Sequence, residues 1–284
     1  MDERGLGKRI QGARQAAGFT QQSLCQKANL SFSTLTKIER GAIKSPSIFT
    51  IQSIAGALNL SLDALVGSSA VSSNTPQRNL HRSKSGVSFV YFDVNGCLVR
   101  FYERAFARIA ADYDVPADVV EMAFWHYNDD ACRGLLSVAD FNKAMSERIG
   151  IQGLDWAPYY LDAAESIIEM HELVRWTADN YKVGLLTNIM PGLLGSLKEL
   201  GKVPALPYDV VVDSSTIGLI KPELALYESA VKQAGVPADQ ILFVDDTKSN
   251  LIAAESLDWH VAWFDYARPA ESAAQIRQIL EPVA

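Results

Sequence analysis

Cysteine is scarce in this chain. Cys25, Cys97 and Cys132 are spread through 284 positions, too few and too scattered for a disulfide framework or a cysteine-built zinc site. Long apolar runs are missing as well: nothing approaches the roughly 20 consecutive residues needed to span a bilayer. The opening residues, Met1-Asp2-Glu3-Arg4, are polar and lack the apolar stretch of an export signal. No internal repeat is present. These absences predict a cytoplasmic chain with no membrane partner. What is there suits packed cores: 48% apolar and 21% charged residues, over a length that predicts about two domains.

The net charge of −7 conceals an asymmetry. Residues 1–67 hold eight Lys/Arg against four Asp/Glu, and residues 68–86 add three bases and no acid. The remainder holds fifteen bases against twenty-nine acids. A basic head on an acidic body predicts a polyanionic partner for the head alone. Between them, the Ser-rich stretch from Gly67 through Pro76 to Gly86 has no sustained apolar period, so 68–86 reads as a flexible linker.

Before the linker the pattern is all-α. Leu6, Ile10, Ala13 and Ala17 recur at helical spacing up to Gly18. Thr20 is placed to cap a second helix carrying Leu24 and Ala28, and Ser31 a third carrying Leu35 and Ile38 and ending at Gly41. A fourth helix carries Ile48, Ile51, Ile54, Ala55 and Leu58, and a short fifth is expected from Ser61 to Val66. After the linker, apolar β-rich runs at 87–92, 182–186, 208–212, 240–244 and 259–264 alternate with helical stretches. That alternation predicts an α/β domain with a doubly wound parallel sheet. Residues 99–175 show no convincing strand and predict a helical cap, leaving 87–98 and 176–284 as the core of an 87–284 domain.

Two short helices joined by a tight Ala28-Asn29-Leu30 turn match helix-turn-helix geometry. At Thr20-Gln21-Gln22-Ser23-Leu24 and from Ser31 to Gly41 the chain resembles the phage-repressor, or Xre, family, and the likeness covers essentially all of 1–67. The resemblance places the third helix in the major groove of double-stranded operator DNA, with Phe32, Ser33, Thr36 and Lys37 at base-reading positions. Gln21, opening the second helix, would hold a phosphate, and Arg40 would face the DNA backbone. Arg14 and Glu39 fall at positions that form a buried ion pair in this family. The family's habit of binding pseudo-palindromes implies a homodimer.

Four separated pieces mark the body: Phe92-Asp93-Val94-Asn95-Gly96-Cys97-Leu98, Leu185-Leu186-Thr187-Asn188, Ile220-Lys221-Pro222 and Phe243-Val244-Asp245-Asp246-Thr247-Lys248-Ser249-Asn250. In this order the set resembles the haloacid-dehalogenase superfamily of aspartate-nucleophile phosphotransferases. The resemblance implies a nucleophilic or metal-ligating Asp93, with Thr187 and Lys221 on the phosphoryl oxygens. Asp245 and Asp246, with Asp93 and the main-chain carbonyl of Asn95, would form an oxygen site for Mg²⁺. Asn188 is a further ligand candidate. Within the cap, Arg133, His126 and Tyr127 are candidates for the ligand's far end, while Phe124 and Trp125 are expected to pack inside it.

Asn95 departs from the pattern. The phosphatase branch carries an aspartate there, which protonates the leaving oxygen and then activates water, and a carboxamide can do neither. Loss of such a group costs about 10²–10⁴-fold in rate. The expected function is therefore a transcriptional regulator whose body binds a phosphorylated small molecule with weak or no catalysis. The alternative is an active Mg²⁺-dependent phosphatase that also regulates its own operon.

Overall fold

The computed structural model describes residues 5–17, 19–43, 46–58, 60, 65, 80–100 and 102–282. The chain divides into two units, Met1–Gln77 and Arg78–Ala284.

In the first unit, helices α1 (Gly5–Ala16), α2 (Gln21–Lys27), α3 (Phe32–Glu39) and α4 (Ile48–Leu58) surround one core built on Ile10, Leu24, Leu35, Ile38, Ile51 and Ile54. The caps fall where the sequence places them. The hydroxyl of Thr20 accepts the amide of Ser23 and that of Ser31 accepts the amide of Thr34, both at 3.1 Å. Each satisfies one orphan N–H at a helix start. Gly7 lets α1 approach α3 closely, since a Cβ there would lie 2.2 Å from the carbonyl oxygen of Ile38. The expected fifth helix at 61–66 lies outside the described residues except for Leu65, which is helical and buried.

The second unit holds a five-stranded parallel sheet among the described residues, built from β1 (Phe89–Phe92), β4 (Lys182–Thr187), β5 (Val210–Asp213), β6 (Ile241–Asp245) and β7 (His260–Trp263). Their order across the sheet is β5-β4-β1-β6-β7. β1 and β6 are buried along their whole length, as expected for central strands covered on both faces. Alternate residues serve opposite cores. Val90, Phe92, Leu185 and Val244 face one, and Phe89, Tyr91, Leu186 and Phe243 the other. Gly184 is needed beneath Tyr91, whose ring carbon Cε1 would lie 2.5 Å from an added Cβ.

Helices α9 (Ile168–Asn180), α12 (Leu224–Ala234), α13 (Lys248–Glu255) and α14 (Pro269–Ile279) belong to this core, with the shorter α10 (Leu193–Glu199) and α11 (Ser214–Ile217). Four helices form the cap: α5 (Tyr102–Tyr113), α6 (Ala117–Cys132), α7 (Val138–Ile149) and α8 (Trp156–Ala163). Phe106, Phe124, Phe141 and Trp156 cluster at its centre, with the Phe124 and Trp156 rings 4.6 Å apart.

Three expectations need correction. The stretch 99–175 contains two strands, β2 (Val99–Arg100) and β3 (Glu165–Ser166), paired antiparallel where the chain enters and leaves the cap. Helix α9 packs on α14 and β4, so the core resumes at Ile168 rather than 176. The described end of the expected linker is also anchored. His81 N–H donates to Asn180 O at 2.7 Å, Lys84 N–H to Glu281 O at 3.1 Å, and Ser83 pairs with Pro282. Residues 68–79 of that linker lie outside the described residues.

Candidate functional site

A parallel sheet presents ligands to the carboxyl ends of its strands, where the strand order reverses. Here the chain runs from β1 outward to β4 and β5, then returns to β6 and β7 on the other side. Asp93 directly follows β1, Thr187 ends β4 and Asp245 ends β6, with Asp246 next in the loop. Carboxylate oxygens of Asp93 and Asp246 and the sulfur of Cys97 all lie within 4.8 Å of one another. Gly96 makes room for this approach, because a Cβ there would stand 2.2 Å from Asp246 Oδ2.

Lys221 joins the pieces. Its Nζ lies 2.7 Å from Asp93 Oδ1 and 2.7 Å from Asp245 Oδ2, with all three residues buried. Asn188 holds the Lys221 backbone at both ends: Lys221 N–H donates to Asn188 Oδ1 at 2.8 Å, and Asn188 Nδ2 donates to Lys221 O at 3.0 Å. Asn188 is thereby a clamp on the lysine loop.

The structure moves Asp245 out of the metal set. Consecutive residues point opposite ways, and Asp245, the last strand residue, turns inward. Its oxygens receive Lys221 Nζ, the Thr247 N–H at 2.7 Å and Asn250 Nδ2 at 3.1 and 3.2 Å. Asp246 faces the cleft instead.

Three clustered carboxylates against one ammonium leave two negative charges unmatched. Burial is the largest cause pushing the Asp93 carboxyl up, to about 8; Lys221 pulls it down and Asp245 and Asp246 push it further. Burial, then the charge of Asp245, also raises Asp246. Burial opposes the Lys221 ammonium, yet Asp245 and Asp93 outweigh it and hold its pKa above the lysine range. A divalent cation between Asp93 and Asp246 would cancel the excess. The oxygen donors suit magnesium, a hard cation. Thr187 Oγ1 is fully buried without a partner, as a site awaiting a ligand oxygen requires. The residues present therefore fit both magnesium and a phosphoryl group.

Asn95 uses both ends of its carboxamide. Nδ2 donates to Asn188 O at 3.2 Å, and Oδ1 accepts the phenol proton of Tyr160 at 2.8 Å. Tyr160, on cap helix α8, is buried, and burial raises its pKa above the tyrosine range. Arg133 does not reach for a ligand but pairs with Glu223, two residues beyond Lys221. Beside it, the Ser214 hydroxyl donates to Cys132 O at 2.6 Å, a second tie between cap and core. His126 is exposed and packs edge-on against Tyr127. Trp125, expected inside the cap, is 46% exposed. A cavity of about 320 Å³ opens beside Gly96 and Asp246, bounded by Arg100, Arg104, Glu165 and Tyr266. Sequence reasoning missed Tyr160, Glu223 and Ser214 because their partners lie 65, 90 and 82 residues away.

In the head, Leu35, Ile38 and Glu39 face the core. Phe32, Ser33 and Lys37 are exposed on the opposite side of α3, with Thr36 half-buried among them and Arg40 exposed just past the helix end. The expected buried ion pair is present: Arg14 Nε lies 2.7 Å from Glu39 Oε1. Gln21 has a partner within the head as well: its Nε2 donates one of its two hydrogens to Glu39 Oε2 at 2.7 Å, which anchors the amide beside this pair.

A helix-turn-helix family model matches residues 10–65. The HTH-type transcriptional regulator YazB of Bacillus subtilis (strain 168) is 41% identical over 59 residues, covering 21% of this chain and 84% of YazB. The chain belongs to the helix-turn-helix family of transcriptional regulators. The immunity repressor protein of Bacillus phage phi105 is 44% identical over 62 residues, 22% of this chain and 42% of the repressor. The chain thus spans less than half the length of that repressor, and 52% of the HTH-type transcriptional regulator ImmR of Bacillus subtilis (strain 168). Over the body, Phosphatase MT3486 of Mycobacterium tuberculosis (strain CDC 1551 / Oshkosh) is 28% identical across 179 residues, 56% of this chain and 79% of the phosphatase. Among solved structures, the haloacid-dehalogenase family enzyme BT-2542 of Bacteroides thetaiotaomicron, in complex with magnesium and inorganic phosphate, superposes with a TM-score of 0.55 at 17% identity. That match covers 64% of this chain and 96% of the enzyme. The body of this chain has the haloacid-dehalogenase fold, a parallel-sheet core carrying a helical cap.

Proposed function

We propose that this regulator binds operator DNA through α3 as a homodimer in the cytoplasm, and that its body is an effector domain. The body binds a phosphorylated small molecule with magnesium and turns it over slowly or not at all. On the DNA side, Phe32 offers an apolar face to a thymine methyl and Lys37 reaches guanine acceptors, with Ser33 and Thr36 between them and Arg40 on a phosphate.

In the body, Asp93 and Asp246 hold the cation, which supplies positive charge to the phosphoryl oxygens. Lys221 neutralises Asp93 and the incoming phosphate, and Thr187 donates its orphaned hydroxyl. The observation that carries the reading is Asn95, which stands where a proton carrier is needed. Its carboxamide is held by Tyr160 at the oxygen and by Asn188 at one amide hydrogen, and it has no proton to exchange. Binding is provided for and proton transfer is not. The magnesium and phosphate held by the BT-2542 enzyme support the same assignment of the cleft.

The second reading, an active phosphatase, draws on the intact Asp93–Lys221 pair and on the likeness to Phosphatase MT3486. Leaving groups separate the two. An aryl phosphate departs without a proton, whereas an alkyl phosphate needs one. The wild type should turn over alkyl phosphates well below about 1 s⁻¹, the low end of ordinary enzyme rates. Asn95→Asp should raise alkyl turnover by about 10²–10⁴-fold; for aryl phosphates the gain should lie only in the water-activation step, so their first phosphoryl transfer, read as a burst, should change little. Rapid alkyl turnover by the wild type would establish the phosphatase instead.

A further inference from the structure

We propose that Tyr160 is a positioning residue for the ligand: it fixes which end of the Asn95 carboxamide faces the phosphoryl group. The inference rests on the reading of this cleft as a phosphate site.

The orientation of the amide follows from its partners. Asn188 O is a carbonyl and can only accept, so the Asn95 atom 3.2 Å away is the nitrogen. The opposite end is then the oxygen, and it receives the Tyr160 phenol proton at 2.8 Å. A phenol, with an ordinary pKa of about 10, is protonated at neutral pH and so is the donor in this contact. Tyr160 is 2% exposed, and its ring packs 6.1 Å from Trp156 in the aromatic centre of the cap. The donor therefore has little freedom to follow a turning amide.

An amide nitrogen carries two hydrogens, and Asn188 O takes one. The other is left for a ligand oxygen beside Thr187, the residue preceding Asn188, whose Oγ1 is buried without a partner. Were the amide to turn over, its oxygen would confront the oxygens of a bound phosphate. A carboxylate could accept from Tyr160 but, ionised, could not donate to Asn188 O. In this chain the Asn95 side chain uses both a donor and an acceptor end, and Tyr160 sets which is which. The contact also carries cap position into the site. From α8 it runs through Asn95 to Asn188, and from there to the backbone of Lys221.

A double-mutant cycle tests this on the full-length protein, with inorganic phosphate titrated calorimetrically in saturating Mg²⁺. Tyr160→Phe keeps the ring and removes one hydroxyl. It should weaken phosphate binding about tenfold in the wild-type background, the worth of one oriented hydrogen bond. In Asn95→Ala the same change should matter less than about twofold, because no amide remains to orient. As a second readout, the Asn95 side-chain NH₂ resonances, assigned by their loss in Asn95→Ala, should move on phosphate addition in the wild type. They should move little in Tyr160→Phe. Equal weakening in both backgrounds means that Tyr160 acts only through cap packing and overturns the inference. So does an unweakened Tyr160→Phe, or an NH₂ response unchanged by that substitution. Absence of phosphate binding by the wild type overturns the phosphate-site reading itself, and this inference with it.

Discussion

Raising the pH of the metal-free protein should destabilise its body, and magnesium should reverse the effect. Asp93 titrates at about 8 in the folded protein and at its ordinary 3.8 in the unfolded chain. Between these values the folded state holds a proton that the unfolded state has lost, so stability falls as pH rises. Each pH unit in the window costs up to about 1.4 kcal/mol, and above pH 8 the penalty is complete. His171 opposes this at lower pH. It is buried with a lowered pKa, so below its ordinary 6.5 folding excludes a proton and stability rises with pH. Lys221 titrates above the whole range. The clean interval is therefore pH 6.5 to 8, where Asp93 alone predicts a loss of about 2 kcal/mol. For a domain of this size that is a fall of about 4–8 °C in melting temperature. Asp246, also raised, acts in the same direction.

The assay is simple because all five tryptophans, Trp125, Trp156, Trp176, Trp259 and Trp263, lie in the body. Thermal unfolding followed by tryptophan fluorescence reports on that unit alone. In EDTA the midpoint should fall from pH 6.5 to 8. In saturating Mg²⁺ the fall should vanish, because the cation replaces the proton on Asp93. Asp93→Asn should flatten most of the slope without metal, leaving only the smaller contribution of Asp246. Parallel pH profiles in EDTA and Mg²⁺, or a metal-free midpoint that rises across the interval, would refute the charge-imbalance account.

Other substitutions test the packing and the DNA face. Glu39→Ala leaves the Arg14 guanidinium buried without its counter-charge, holding only the Phe19 carbonyl, and should cost the head about 3–5 kcal/mol by circular dichroism melting. Gln21→Ala removes the hydrogen bond its amide donates to the Glu39 carboxylate, so head stability should fall by about 1.5–3 kcal/mol in the same melts. Lys37→Ala should weaken operator binding by about 1–3 kcal/mol and relax sequence choice, read by titrating matched and mismatched duplexes. Gly184→Ala pushes a methyl into the Tyr91 ring and should cost the body about 1–3 kcal/mol in denaturant unfolding.

Much of this architecture is legible in the amino-acid order. Buried central strands appear as unbroken apolar runs such as Phe89–Phe92, and the caps Thr20 and Ser31 mark helix starts directly. The meeting of Asp93 and Asp246 is predicted because strand ends in a parallel sheet share one edge, while Lys221, in a loop beyond a helix, is placed there only by the family resemblance. What escapes is of two physical kinds. Elements two residues long, β2 and β3, carry no periodicity to read. Helix α9 continues the amphipathic pattern of the cap, so nothing local says that it packs on the core. Residues 81–84 are fixed by main-chain bonds to Asn180 and Glu281, which composition cannot register. The second kind is the partner choice of polar side chains. Arg133 with Glu223, Tyr160 with Asn95 and Asp245 with Lys221 each depend on which of several adjacent groups points inward.

The account stands most directly on one titration of the full-length protein with a simple alkyl phosphate such as glycerol 1-phosphate, following heat and released phosphate together. It predicts saturable binding of one ligand per chain that requires Mg²⁺, disappears in Asp246→Asn and proceeds with turnover below about 1 s⁻¹. Absence of Mg²⁺-dependent binding, or phosphate release at ordinary enzyme rates, would contradict it.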